Sequence, residues 1–300
     1  MGYADTDTTK SQPAPGNYNR VAGVPVVPRA ASLEQDAVLL APGEVNRGRA
    51  IRGTLGRALV GVVALAGLVL VWWGLVVVGG YPPYILPAPL DVAERTWGML
   101  LDGSLLLHFG TTTLEAGLGF VLALLVGLPL GYLIARSRRL ERAISPYIAV
   151  SQGLPVVAIA PLLVLWLQDD LARKVVIVAL IVFFPLLVNA VVGLRGIDRS
   201  MLEVARISGA NPWQTIWYVE LPLSLRALLG GVKLGLTLSI TGAVVGEFVS
   251  SGAGLGFLLI LGRGLFDTTL IFVGLVSLAL LTVVIYLGIS LLEKSLISWE

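Results

Sequence analysis

The stretch Ser200-Met201-Leu202-Glu203-Val204-Ala205-Arg206-Ile207-Ser208-Gly209, continuing through Asn211-Pro212-Trp213-Gln214 to Val219-Glu220-Leu221-Pro222, is a polar insert between two long apolar runs. Ser200 followed three residues later by Glu203 predicts a capping box, in which each side chain satisfies an orphan backbone N–H at a helix start. Gly209 supplies a left-handed stop about two turns later. Asn211 predicts a second N-cap, with Pro212 at the first helical position and Gln214 closing another box. The expected product is a helix-turn-helix knob in water, with Ala205 small enough for a tight fold and Pro222 restarting an apolar helix without wasting a donor.

Outward from the knob, the 300 residues are 56% hydrophobic and only 13% charged, with a mean hydropathy of +0.87. Such a chain turns its outer surface to lipid, because a soluble fold cannot hide so much apolar area. The net charge is only +2 and the basic residues gather at the ends of apolar runs rather than in one stripe, which argues against nucleic-acid binding. The absence of cysteine excludes disulfides, zinc–thiolate sites and iron–sulfur clusters. His108 is the only histidine; a metal needs several ligands, so an interfacial structural role is expected for it.

Residues 1–54 are polar and Pro-rich and read as a flexible tail without a signal peptide. Their start loosely fits an N-myristoylation pattern, which is read as coincidence. Residues 55–300 form the membrane domain. A bilayer core needs about 20 apolar residues per helix, and six spans are expected at about 57–79, 110–135, 145–167, 174–194, 224–249 and 269–292. Arg47, Arg49, Arg52 and Arg57 precede the first; Arg136, Arg138, Arg139 and Arg142 separate the second and third; Arg195, Arg199, Arg206 and Arg226 surround the knob loop, residues 195–223. The positive-inside rule then places both termini and the knob in the cytoplasm.

Pro129, Pro146, Pro155, Pro161 and Pro185 each remove a backbone donor, and such breaks persist in a bilayer only where protein or a water-filled cavity satisfies the freed groups. Three of them fall in the third span, which points to that helix, through Pro155 and Pro161, as lining a route. The pairs Gly127/Gly131, Gly231/Gly235 and Gly242/Gly246 predict a closely packed bundle. Charges inside spans are costly and mark candidates for function. Fourteen helical steps, about 21 Å, separate Lys233 at the inner boundary from Glu247. Glu247 therefore either lines the outer part of a pathway or sits at the outer interface holding the following loop. Glu115 reads similarly, whereas Asn189 and Gln152 more often bridge helices than touch solute. Asp169-Asp170 reads as a solvated turn. Pro89 leads an amphipathic helix to Leu101 on the outer face, and residues 251–261 form a second outer segment.

No Gly-x-x-x-x-Gly-Lys-Ser/Thr phosphate loop is present, and no hydrolase, zinc-protease or dinucleotide constellation replaces it. The chain is not expected to be an enzyme and cannot hydrolyse ATP itself. The order Glu203, Ala205, Gly209, Val219, Leu221, Pro222 resembles the "EAA" signature of ABC importer permease subunits, with Val204 and Val219 as mild departures. The resemblance extends from about Leu86 to the C-terminus and is closest to the nitrate/sulfonate/taurine branch with its thiamine-pyrimidine and riboflavin relatives.

That resemblance implies an all-α, six-span type I importer fold, with the coupling loop contributed by Ser200, Glu203, Ala205, Gly209, Asn211, Pro212, Trp213, Gln214, Leu221 and Pro222. It implies no cofactor on this chain, ATP being bound by two separate ATPase subunits. It further implies a second permease copy, preferably an identical one, an extracytoplasmic solute-binding protein and a place in the plasma membrane. Pathway candidates are Glu247, Glu115, Asn189, Pro155 and Pro161. The stretches Pro155–Pro161 and Gly242–Phe248 look most like the vitamin importers, riboflavin or thiamine-pyrimidine, with sulfonate, taurine and nitrate as the other options. Two other classes stay open: an ion-gradient carrier working through Glu115 and Glu247, which has no need of a water-facing knob, and a membrane anchor without a pathway.

Overall fold

The computed structural model describes residues 47–153, 155–250 and 252–296. The chain divides into two units, residues 1–64 and 65–300. The first is described only from residue 47, where helix α1, Arg47–Gly79, begins; the tail and its N-terminal motif expected over residues 1–46 lie outside the described residues. The helices from α2 onward all belong to the second unit.

Every regular element among the described residues is a helix: α2 Pro89–Leu101, α3 Ser104–Arg136, α4 Arg138–Gly153, α5 Val156–Trp166, α6 Asp170–Arg195, α7 Arg199–Ile207, α8 Pro212–Thr215, a π-helical turn Ile216–Glu220, α9 Leu221–Val249, α10 Leu255–Leu265 and α11 Thr268–Leu296. Among the described residues, four helical runs are long and apolar enough to cross a membrane: Ser104–Arg136, Asp170–Arg195, Pro212–Val249 and Thr268–Glu293. They coincide with the second, fourth, fifth and sixth expected spans. Shorter apolar helices occupy Val63–Gly79, Val156–Trp166 and Leu255–Leu265. The third expected span, 145–167, is corrected. It is two helices, α4 and α5, with Pro155 between them in an extended conformation, φ −68° and ψ 115°. Pro155 stands at the N-cap of α5 outside its helix, whereas Pro146 and Pro161 stay inside theirs.

The core is α6 clasped between α3 and α9. Inside a bilayer no hydrophobic force drives helices together, so close backbone approach and dispersion contact must hold them. Glycine supplies that approach on both sides of α6. From α3, Gly119 meets Val178, Gly127 meets Phe183, and Gly131 lies where a Cβ would come within 2.7 Å of Ala190. From α9, a Cβ on Gly231 would fall 2.7 Å from Asn189, on Gly242 2.9 Å from the Val178 backbone, and on Gly246 3.2 Å from Lys174. All three sequence pairs therefore face one helix. Ala116, Ala123, Val178, Val182, Leu186 and Ala243 fill the spaces between.

The amphipathic helix expected after Pro89 is α2, with Pro89 in its first turn and the Asp91 carboxylate accepting the Ala88 N–H. It packs through Val92 into a second cluster with Leu105, Leu255, Leu258, Leu270 and Val273. At the end of α10, Phe266 is held at φ +57° and is exposed. A side chain in that left-handed region costs energy that glycine avoids. Phe266→Gly is expected to raise the thermal midpoint of the purified protein, by about 1 kcal/mol of added stability.

Candidate functional site

The knob forms, with a different cap at its start. Asp198, not Ser200, is the N-cap of α7: its carboxylate accepts the Ser200 N–H at 3.0 Å. The expected Ser200–Glu203 box is corrected, because a cap at Asp198 places Ser200 and Glu203 inside α7, both exposed. The signal is legible in the sequence, since Asp198 stands two residues before Ser200 and aspartate is as good an N-cap as serine. That bond holds the Asp198 carboxyl below its usual range. A depressed carboxylate stabilises the folded state above its unfolded pKa and loses that contribution as pH falls through the folded value. Asp198→Asn is therefore expected to keep α7, followed by hydrogen exchange at Ser200, while removing its loosening in acid.

The remaining knob features fall as expected. Gly209 has φ +79°; its N–H reaches Arg206 O at 3.0 Å and the Ala210 N–H reaches Ala205 O at 3.1 Å, the paired bonds of a Schellman stop. Ala205 is buried at that turn. Asn211 and Gln214 exchange bonds of 2.7 and 2.9 Å, closing the second box, with Pro212 behind them. Pro222 does not restart a separate helix. Helix α8 runs through the π turn into α9, and the Leu221 N–H bonds to Ile216 O five residues back. Pro222 offers no N–H and its ring would strike a carbonyl one turn earlier, so the wider turn accommodates both defects.

Ile207, Trp213, Trp217 and Tyr218 are exposed on the knob, with Trp213 packed edge-on to Trp217 at 5.7 Å. Behind them a cavity of about 280 Å³ is lined by Tyr132, Arg136, Arg206, Pro212, Thr215 and Glu220, among others. Arg136 at the end of α3 pairs with buried Glu220 of the π turn at 2.7 Å. Arg195, at the end of α6, reaches Ile134 O at 3.2 Å and pairs with Glu141. Sequence reasoning misses these ion pairs, because their partners are far apart along the chain.

The opposite end of the bundle holds a buried polar network. Glu247 is 1% exposed. One carboxylate oxygen accepts the Thr112 hydroxyl at 2.6 Å, and the other accepts the Gly256 and Phe257 N–H groups, the latter at 3.1 Å. Thr112 in turn accepts the Leu255 N–H at 2.7 Å, and His108 Nδ1 accepts the Gly254 N–H at 3.0 Å. Those four consecutive amides are the donors that the first turn of α10 cannot satisfy internally. In a membrane no water is at hand to take them, and a carboxylate also complements the positive end of the helix dipole. Gly254 and Gly256 are required here: Gly254 has φ +123° and a Cβ on it would overlap the Glu247 carboxylate, while one on Gly256 would come within 2.7 Å of it. The lone histidine thus has the structural role expected of it.

Beside Glu247, and close enough to interact with it, lies Glu115, also 1% exposed. Its carboxylate takes the Lys174 ammonium at 2.8 Å, and Lys174 is held by Asp170 at 2.7 Å as well. Asp170 further accepts the Ser250 hydroxyl at 2.5 Å. The turn reading of Asp169-Asp170 is corrected accordingly. Asp169 caps α6 through the Ala172 N–H, and Asp170 is tied to Lys174. Sequence alone ranks Lys174 as one more boundary charge; its position one turn after Asp170 is the available clue. Asn189 does not bridge helices by hydrogen bonding, since its amide donates to Pro185 O in its own helix at 2.8 Å. Lys233 pairs with Glu293 at 3.4 Å and lies over the Tyr286 ring, far from Glu247 along α9.

Residues 127–298 match the family described as binding-protein-dependent transport system inner membrane component. The chain is 51% identical to the riboflavin transport system permease protein RibX of Chloroflexus aurantiacus over 79% of its own length and 89% of that protein's. It is 32% identical to the formylaminopyrimidine transport permease protein ThiX of Halalkalibacterium halodurans, covering 73% and 87%, and 30% identical to the putative aliphatic sulfonates transport permease protein SsuC of Bacillus subtilis, covering 80% and 87%. An inward-facing conformation of the MetNI methionine ABC transporter shares its fold, at TM-score 0.58 and 18% identity, covering 65% of this chain and 97% of that one.

The fold and the matches define a multi-pass permease subunit of an ABC importer, a transport protein of the inner membrane and not an enzyme. The chain belongs to the binding-protein-dependent transport system inner membrane component family. As in that family, its partners are an ATPase subunit and a solute-binding protein. The carrier and anchor alternatives fall with that membership.

Proposed function

We propose that this permease imports riboflavin, as one of two identical copies working with two ATPase subunits. The single observation supporting the substrate is the 51% identity to a riboflavin transport permease along nearly the whole membrane domain, well above the 30–32% shared with the sulfonate and formylaminopyrimidine permeases. The knob end faces the cytoplasm, as the arginines around it favour. ATP binds to the separate subunit, so this chain carries no cofactor.

Each ATPase grips the knob through Trp213, Trp217, Tyr218 and Ile207. Ser200 and Glu203 keep α7 in water, Ala205 and Gly209 make the bend, and Asn211, Pro212 and Gln214 fix the direction of α8. Leu221 and Pro222 carry the chain into α9. The break at Pro155, with Pro161 beyond it, places α5 along the solute route. Asn189, Glu115 and Glu247 shape that route from behind rather than binding solute, being bonded within the protein. One knob per chain and two ATPases per importer favour a pair of copies.

Proteoliposomes holding the permease and ATPase, supplied with ATP inside and the binding protein outside, are expected to take up labelled riboflavin. Uptake of taurine or an alkanesulfonate in its place, with none of riboflavin, would replace the substrate reading.

A further inference from the structure

We propose that Glu247, with Thr112, is the positioning residue that links the knob to the short helix α10 at the opposite end of the bundle. Through it, the state of the outer face is communicated to the ATPase. The inference rests on the reading of the knob as the ATPase-coupling element, and goes beyond it by naming the far terminus of the route.

Three observations carry it. First, the run from Pro212 to Val249 is one helical shaft. Proline occurs in it only at Pro212 and Pro222, near the knob, so the 29 residues of α9 extend without a later break for about 43 Å. Displacement at the knob therefore arrives at Glu247. Second, Glu247 sits two residues before the end of the shaft and holds α10 through its first-turn amides, together with Thr112 and His108 of α3. Among the described polar contacts, these are what fix the N-terminus of α10, and Gly254 and Gly256 leave no side chain between the carboxylate and the backbone. Third, α10 lies on the far side from the knob, where it lines a cavity of about 450 Å³ with Glu94, Arg95, Asp102 and His108. A protein arriving at that face touches the neighbourhood of α10 and not the knob.

Coupling between two sites requires an element that both bias, and the bias is reciprocal for binding. Here the element is the α9–α10 junction. Knob movement drawn in by ATP shifts the end of α9, and the carboxylate carries the N-terminus of α10 with it. Conversely, a protein docked at α10 biases α9 and so the knob. Glu247 acts on α10, not on solute, and a neutral amide in its place keeps size but loses the charge and offers one acceptor oxygen where the carboxylate uses two.

The test is ATP hydrolysis by the assembled importer in lipid nanodiscs, without and with its binding protein loaded with riboflavin. Wild type is expected to be stimulated. Glu247→Gln is expected to assemble and keep unstimulated hydrolysis while its stimulation falls about fivefold or more, the lower end of ordinary coupling energies. Thr112→Val removes one acceptor and one donor at the same junction, and should lower stimulation less. Should Glu247→Gln fail to assemble, Thr112→Val carries the test with the same two outcomes. Stimulation at the wild-type level in an assembled variant overturns the proposal. Absence of stimulation in the wild type itself would instead count against the substrate or the knob reading.

Discussion

Replacing Lys174 by Met is expected to be among the most damaging single changes in this chain. The ammonium is 4% exposed and the Glu115 carboxylate 2%, and the two lie between α6 and α3, whose contact makes half of the core. Removing one partner of a buried pair typically costs about 3–5 kcal/mol, because the remaining charge has neither water nor a counterion. Here the consequence is compounded. Glu247 is an acid neighbour of Glu115, so without Lys174 two buried carboxyl groups share a dry site that has lost its ammonium. Lys174→Met should therefore lower the thermal midpoint of the detergent-purified permease strongly. Adding Glu115→Leu should recover much of the loss, since replacing a whole buried pair by apolar side chains is often close to neutral. A single variant as stable as wild type would mean that this pair does not hold α3 to α6.

The second large effect belongs to the glycine seams. In Gly242→Leu the first added carbon would meet the Val178 backbone at 2.9 Å, and backbone cannot rotate away as a flexible side chain can. The two helices must separate along their length, undoing contacts from Ala116 to Ala243. Overpacking a well-filled core costs about 1–3 kcal/mol when side chains can adjust, and more where backbone stands in the way. The expected result is loss of monodisperse protein on size-exclusion chromatography. Gly117→Leu on α3 is the matched control: it has open space around it and should purify normally. Equal behaviour of the two variants would show that the seam is not the contact that matters.

The contrast between these positions explains how much is readable in advance. Gly127, Gly131, Gly231, Gly235, Gly242 and Gly246 are visible as pairs by spacing alone. That all three pairs address α6 is not, because a period of four marks a face and says nothing about which neighbour it meets. The Asn211–Gln214 box and the Gly209 stop are legible because local chemistry decides them within a few residues. Ser200 misleads because two good caps stand two residues apart, and only the backbone shows which one the helix starts from. Pro155 is expected to kink or interrupt a span, and its extended backbone is where α5 begins. Glu247 stands out as a costly intramembrane charge, and its alternative role of holding the following loop is what the bonds to Gly256 and Phe257 describe. The partners Thr112, Lys174 and Glu220 come from distant stretches. A single sequence carries no signal of such pairs beyond their polarity in apolar surroundings.

The knob as the handle of a separate ATPase is the claim on which the transport mechanism rests. Affinity purification of tagged permease co-expressed with its ATPase measures it directly, comparing wild type with Gly209→Val and Trp213→Ala. At φ +79° a β-branched side chain is severely strained, so Gly209→Val should misdirect α8. Trp213→Ala removes an exposed aromatic anchor and should weaken binding about 10-fold or more, as for interface hot spots. Both variants are expected to remain in the membrane as folded permease and to retain little or no ATPase. Full recovery of ATPase with both, at wild-type stoichiometry, would contradict the account.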